Sequence, residues 1–312
     1  MDEQINLVAV VGATATGKTA FAIELAKELD GEIISCDSMQ IYRHMNIGTA
    51  KPDMAERQGI PHHMLDILEP HENFSVSDFC ARAKECISDI TARGKLPILA
   101  GGTGLYVDSL IGNVAFVPQD VDIKYRESLH KLALEKGNLY LHNMLSERDP
   151  NAAEKIHPNN VRRVVRALEI LHSTGVTKTE QDKLSKSQES PYKSVIFSIE
   201  MPREELYDRI NRRVDIMINA GLVDEVKGLL DMDVSPDSTA MQAIGYKELA
   251  DYINGNCGLE FAVEKIKQES RRYAKRQITW FSSNPKINRV MLQECNRNVT
   301  FIVKFIKNTL HN

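Results

Sequence analysis

The sequence predicts an α/β fold: a P-loop parallel sheet core flanked by helices, with a helical insertion domain and C-terminal helices. Three observations predict it. Ile5–Val11, Glu32–Ser35 and Leu96–Ala100 are short apolar runs separated by longer amphipathic stretches, the alternation that builds a parallel sheet covered on both faces. Gly12-Ala-Thr-Ala-Thr-Gly17-Lys18-Thr19 follows the first run and matches G-x-x-x-x-G-K-[ST] in the strand–loop–helix setting that this phosphate loop requires. Residues 119–191 hold helical patterns and no convincing strand, and the 312-residue chain exceeds a typical domain of about 100–200 residues. The core is therefore assigned to 1–118 and 192–312, and the insertion to 119–191.

Taken in order, INLVAVV is the first strand and Lys18–Leu29 an amphipathic helix that Gly31 stops. Glu32–Ser35 is the second strand, running into Cys36-Asp37-Ser38. Phe74–Gly94 is a helix with Ser75 or Ser77 as its cap and Gly94 at its close. Leu96–Ala100 is the third strand and ends at Gly101-Gly102-Thr103-Gly104. Past Pro118, Asp149-Pro150 marks a helix start, an N-cap acid followed by Pro at the first helical position. Asn160–Ser173 presents Val161, Val164, Val165, Leu168 and Leu171 on one face and ends at Gly175. The polar stretch 178–190 reads as loop, Ser194–Ile199 as a returning strand, and two long helices at about Arg203–Leu230 and Leu259–Phe281 close the chain.

Composition excludes several classes. With 42% apolar and 26% charged residues the chain is neither collagenous nor disordered. Its five cysteines (36, 80, 86, 257, 295) are scattered and never form Cys-x-x-Cys, so neither a disulfide framework nor a zinc ribbon is expected, and the thiols suit a cytoplasmic protein. The apolar runs fall far short of the ~18 residues that span a bilayer, and Met-Asp-Glu-Gln is not a basic secretory n-region, so no membrane association is expected. A net charge of −4 argues against a nucleic-acid partner, but its distribution does not: residues 261–312 carry eleven Lys/Arg against three acids, a tail of +8 on a body of −12. A polyanion would meet a basic face there.

In the loop, Gly12 and Gly17 let the backbone around Ala13, Thr14, Ala15 and Thr16 wrap a phosphate, so that N–H groups and a helix N-terminus point at anionic oxygens. Lys18 adds a cation, and the Thr19 hydroxyl is placed to ligate Mg²⁺. Arg209 and Arg213, i and i+4 on the helix after Met201, project together as a clamp for the same oxygens. Neither Asn-Lys-x-Asp nor a GTPase Asp-x-x-Gly switch is present, and the third strand runs into Gly-Gly-Thr and not into a metal-side acid. Asp37, at the end of the second strand, suits an acceptor-side group better. His62-His63 on one strand would point to opposite faces, which is unsuited to a shared metal. A P-loop nucleotide or small-molecule kinase and a non-catalytic RNA-binding switch are the competing readings at this point.

Further blocks accompany the loop in order: Asp37-Ser-Met-Gln-Ile-Tyr42, Gly48-Thr-Ala-Lys-Pro52, Ile60-Pro-His-His63, Gly101-Gly-Thr-Gly-Leu-Tyr106, Ile156-His-Pro-Asn159, Arg166-Ala-Leu-Glu169, Gln242-Ala-Ile-Gly-Tyr246 and Lys275-Arg-Gln-Ile-Thr-Trp280. Over nearly its full length the chain thereby resembles the tRNA dimethylallyltransferase (tRNA isopentenyltransferase) family, in its bacterial type. The resemblance implies transfer of a dimethylallyl group from dimethylallyl diphosphate to N6 of the adenosine 3′-adjacent to the anticodon, in tRNAs reading codons that begin with U, giving N6-isopentenyladenosine. The P-loop would then hold a diphosphate leaving group with Mg²⁺ on Thr19, which accounts for the missing NTPase signatures. Asp37 becomes the base that takes the amine proton, Thr103 a hydrogen-bonding group at the same centre, and Gln40 a reader of the extruded adenine's edge. Ser38 and Met39 share that acceptor turn.

The anticodon stem-loop is expected to be gripped elsewhere too. Arg162, Arg163 and Arg166 crowd one helix of the insertion, while Arg272, Lys275, Arg276 and Thr279 share a face of the last long helix with Gln277 and Trp280 nearby. The resemblance adds Arg126, Gln242, Gly245, Tyr246 and Lys247. Ala13 replaces the family's usual Pro, and Ser282 stands where many members carry Arg. No zinc-finger extension is expected, nor more than a monomer.

Overall fold

A computed structural model of the chain describes residues 4–116, 122–185 and 189–311; position 119, where the insertion was expected to begin, lies outside them. In chain order the elements are β1 (Ile5–Gly12), α1 (Lys18–Leu29), β2 (Gly31–Ser35), β3 (His62–His63), α2 (Val76–Ala92), β4 (Leu96–Gly101) and α3 (Gly104–Ile111). Next come α4 (Ile123–Lys136), α5 (Asn138–Arg148), α6 (Pro150–Lys155), α7 (Val161–Thr174) and α8 (Lys178–Ser185). The chain ends with β5 (Tyr192–Glu200), α9 (Arg203–Asn219), α10 (Leu222–Asp231), α11 (Tyr246–Ile253), α12 (Leu259–Ser282), β6 (Ile287–Met291) and α13 (Leu292–His311). Two compact units result, Met1–Ile111 with Pro191–Asn312, and Gly112–Ser190.

In the first unit, six strands among the described residues form one sheet in the order β3-β2-β4-β1-β5-β6, every pairing parallel. Val8 of β1 pairs with Ile98 on one side and Val195 on the other. Leu7, Val8, Ala9, Val10 and Val11 are all wholly buried, as an uninterrupted apolar strand requires when both sheet faces are covered. Phe21 and Leu25 of α1 and Ile302, Val303, Ile306 and Leu310 of α13 pack into the same core as β1, β4 and β5. On α2, Ser75 caps the helix with a full capping box to Asp78, and Phe79 stacks on Tyr106 of α3 with centroids 4.1 Å apart. A second core joins α9–α12 to the chain around Ile41, Tyr42 and Met45.

The helical unit has its own core, with Leu129, Leu141, Leu145, Val164, Val165 and Leu168 at its centre. Asp149 caps α6 by accepting from Ala152 N–H, and its other oxygen accepts from Thr179 N–H.

The structure corrects three expectations. The stretch 178–190 is not all loop: Lys178–Ser185 is α8, started by a reciprocal Thr177–Glu180 capping box that outweighs its polar composition. The single helix expected over Arg203–Leu230 is two, because Gly221 adopts φ +98° between Ile218 and Leu222, a conformation that a continuous helix forbids. Finally, α12 does not close the chain; β6 and α13 follow it.

Candidate active site

Because β1, β2 and β4 are parallel, their carboxyl ends open on one edge, the usual location of ligand sites in such sheets. β1 delivers residues 12–19 to that edge. Gly17 sits at φ +87° as the residue before α1, and Ala15 adopts φ +65°, a left-handed geometry costly for a residue with a side chain. The loop folds on itself: the Thr16 hydroxyl donates to Ala13 O at 2.8 Å, and Lys18 Nζ donates to the same carbonyl at 3.3 Å.

A cavity of about 770 Å³ opens over this loop, lined by Thr14, Ala15, Gly17, Lys18 and Thr19, by Asp37 and Gln40, and by Arg209, Arg212 and Arg213. That volume suits a small ligand. Burial lowers the Lys18 ammonium to about 8, against the opposing pull of the Asp37 carboxylate, and Arg213 lowers it further. Burial also pulls the Arg213 guanidinium down, opposed by Asp37. Cations so desolvated gain from an incoming anion, because little water remains to compete. The Thr19 hydroxyl makes no hydrogen bond within the protein among the described residues and stays available to a ligand or hydrated cation.

β2 delivers Asp37. Its Oδ1 accepts from Met39 N–H at 2.9 Å and Gln40 N–H at 3.4 Å, a turn that fixes the carboxylate while the second oxygen has no hydrogen-bond partner among the described residues. Thr103, just past β4, ties the two strands' ends together: its N–H donates to Cys36 O and its hydroxyl accepts from Ser38 N–H at 3.3 Å. The edge thus presents a cationic cradle beside a carboxylate with one oxygen unpartnered among the described residues. Ser38 and Met39 are half-buried on the same turn.

Three expected contacts with RNA are corrected. Gln40 lines the cavity, but its amide is already engaged, Oε1 by Ser35 Oγ at 3.0 Å and Nε2 by the carbonyls of Thr49 and Ala50 at 3.2 Å each; no free pair of groups remains for bidentate reading of adenine. Tyr246 is wholly buried. Its hydroxyl donates at 2.6 Å to Glu225, whose carboxylate accepts the N–H groups of Asn46, Ile47 and Gly48 and so shapes the segment whose carbonyls hold Gln40. Gln277 is 5% exposed and hydrogen-bonded within the protein, accepting from Thr14 N–H at 2.8 Å and donating to Gly102 O at 2.9 Å.

The other expected contacts divide by what holds them. Gln242 donates to Pro236 O, Gly245 N–H donates to Glu248, and Lys247 lies 3.5 Å from Glu248. On α12, Arg272 is paired with Glu269, whereas Lys275 and Arg276 are exposed with no carboxylate in ion-pair range among the described residues. Trp280 is 39% exposed and donates to Asp108 at 2.8 Å. In the helical unit Arg126 and Arg166 share Glu169, leaving Arg162 and Arg163 exposed without such a partner. His62 and His63 turn to different groups, the carbonyl of Ile60 and the Glu32 carboxylate. The sequence reading missed Tyr273, a half-buried residue one turn before Gln277 whose phenol lies against Thr103 and Gln277; no motif marks it.

Fold and site together define an α/β protein with a cation-lined cavity beside a carboxylate at the edge of a parallel sheet. Comparison with known proteins narrows this class. The family model described as IPP transferase matches residues 40–284. A tRNA dimethylallyltransferase of Bacillus cereus is 52% identical over 276 residues, 88% of this chain and 86% of that protein. One of Acetivibrio thermocellus is 50% identical over 276 residues, 88% of each. Among solved structures, the full-length tRNA isopentenylpyrophosphate transferase of Bacillus halodurans matches with a TM-score of 0.75 at 46% identity, covering 99% of this chain and 97% of that one. A eukaryotic dimethylallyltransferase acting on tRNA matches with a TM-score of 0.82 at 29% identity, covering 97% and 80%. The chain belongs to the IPP transferase family.

Proposed function

We propose that the protein is a tRNA dimethylallyltransferase, which moves the dimethylallyl group from dimethylallyl diphosphate to N6 of the adenosine 3′-adjacent to the anticodon in tRNAs reading codons that begin with U. One observation carries the reading: a single cavity is lined by Lys18, Thr19, Arg209 and Arg213 together with Asp37. Bond breaking leaves negative charge on the diphosphate oxygens, and Lys18, Arg209, Arg213 and the loop N–H groups stabilise that charge where it develops. The free oxygen of Asp37 accepts the N6 proton as the C–N bond forms and the allylic C–O bond breaks. Such a base typically contributes about 10²–10⁴-fold, and here it offsets the weak nucleophilicity of an amine delocalised into its ring. Thr103, bonded to Ser38 N–H, holds the turn that aims the carboxylate.

Mg²⁺ fits the residues present. The unpartnered Thr19 hydroxyl would hold it, the remaining ligands being diphosphate oxygens and water, as this ion prefers. When bound it neutralises leaving-group charge.

The four described cysteines are free thiols, in keeping with a cytoplasmic enzyme, and among the described residues no helix is long and apolar enough to cross a membrane. The enzyme is proposed to work as a monomer. The test is incubation with unmodified tRNA, Mg²⁺ and dimethylallyl diphosphate, followed by mass analysis of the nucleosides. A five-carbon adduct on adenosine is expected; ATP consumption without that adduct would favour a kinase.

A further inference from the structure

The phosphate loop and the acceptor turn come from different strands, and a side chain from a third element bridges them. Gln277, on α12, accepts from Thr14 N–H in the loop and donates to Gly102 O in the turn that carries Thr103. The fit is close enough to exclude any side chain opposite: a Cβ on Gly102 would lie 2.1 Å from Gln277 Nε2. The Thr103 hydroxyl continues the chain of contacts to Ser38 N–H, next to Asp37. Tyr273 backs this bridge, its phenol lying against Thr103 and Gln277. Burial and the Asp37 charge push that phenol up to about 12, so it stays neutral across the working range.

We infer that Gln277 is a positioning residue for the transfer step: its amide fixes the distance between the diphosphate cradle and the Asp37–Thr103 turn, so that the allylic carbon is presented in line with the acceptor amine. The role rests on the proposed transferase activity and extends it from the groups that meet substrate to one that meets neither substrate. The bridge uses both ends of the amide, so a side chain of equal bulk without hydrogen bonds does not replace it. Thr14 N–H, held by Gln277 Oε1, is directed at the bridge and not at the phosphate.

Steady-state kinetics of Gln277→Met, Gly102→Ala and the double variant test the inference, with calorimetric binding of inorganic pyrophosphate and thermal unfolding alongside. Gln277→Met keeps the bulk and loses both hydrogen bonds, while Gly102→Ala pushes the amide away from its carbonyl with Gln277 intact. Each should lower kcat about 10²-fold, the cost of ångström-scale misplacement, with the tRNA KM and the pyrophosphate Kd changed by less than about threefold. Because both substitutions break one bridge, the double variant should be no slower than the worse single variant. Gln277→Glu, which keeps the acceptor but sets a carboxylate oxygen against Gly102 O, should fall at least as far as Gln277→Met. A Gln277→Met enzyme with wild-type kcat, or single effects that multiply in the double variant, overturns the inference, as does a loss expressed only in KM. If Gln277→Met fails to fold, Gly102→Ala and Gln277→Glu decide the matter. A wild-type chain that binds pyrophosphate and prenylates no tRNA overturns the transferase reading, and the inference falls with it.

Discussion

Lys18 carries the sharpest consequence at the residue scale. Its ammonium, lowered to about 8 by burial, loses its charge as pH rises through that value, and the anion site weakens in the same direction. The KM for dimethylallyl diphosphate should therefore climb about tenfold per pH unit above 8, while Lys18→Arg, whose guanidinium keeps its proton, should show a flat profile over the same range. A wild-type KM that is constant from pH 7 to 9.5 would separate Lys18 from the donor. Glu32, 2% exposed, makes the complementary case for stability. The Arg93 hydrogen bond first, and His63 with it, hold its carboxyl down to about 2. A depressed carboxylate stabilises the fold above its unfolded pKa and loses that contribution as pH falls toward the folded value. Urea unfolding between pH 5 and 2 should thus show roughly 2 kcal/mol of acid-labile stability in the wild type that is missing in Glu32→Gln. Lys18, Thr19 and Asp37 were legible in sequence because a motif or a strand end marks them. Gln277 and Tyr246 were misread as RNA contacts because sequence does not disclose burial, and Gln40 because sequence does not disclose that Ser35, Thr49 and Ala50 already hold its amide.

Among the elements, the strands were legible because a doubly covered parallel sheet demands uninterrupted apolar runs, and INLVAVV has no other use for its valines. The missed elements failed for local reasons. α8 is polar but for the exposed Leu184 and has no buried residue, so periodicity has nothing to report; its only signal is Thr177-x-x-Glu180. Thr177→Ala should accordingly cost about 0.5–2 kcal/mol of stability, read as earlier urea unfolding of the helical unit, while Lys183→Ala in the same helix should leave the midpoint in place. α9 and α10 merged in the sequence reading because apolar spacing continues across Gly221, a residue that lowers helix propensity without dictating a break. α13 went unseen although Ile302, Val303, Ile306 and Leu310 repeat at helical spacing; in the structure that face is buried in the sheet's core, and the basic residues between them were read only as part of a basic face for a polyanion.

For the whole molecule, charge is the property that structure changes most. The basic tail of +8 is answered in part by acids: Lys267 by Asp215 and Glu264, Lys265 and Arg272 by Glu269, Arg289 by Glu200. Among the described cations without a carboxylate partner, the family resemblance points to Lys275 and Arg276 on α12 and Arg162 and Arg163 on α7 as the ones that meet phosphate. Log–log plots of tRNA affinity against salt should have a slope of about −3. Arg163→Ala or Arg276→Ala should each reduce it by about 1, and Arg272→Ala should change it little. An unchanged slope in Arg276→Ala would move the RNA to another face. The central claim is that one cavity serves the donor with Lys18, Arg209 and Arg213 and the acceptor with Asp37. Single-turnover transfer by Asp37→Ala tests it most directly, with tRNA and pyrophosphate binding measured on the same preparation. The account predicts transfer slowed about 10²–10⁴-fold with both affinities nearly intact; transfer at the wild-type rate, or lost only in proportion to lost binding, would contradict it.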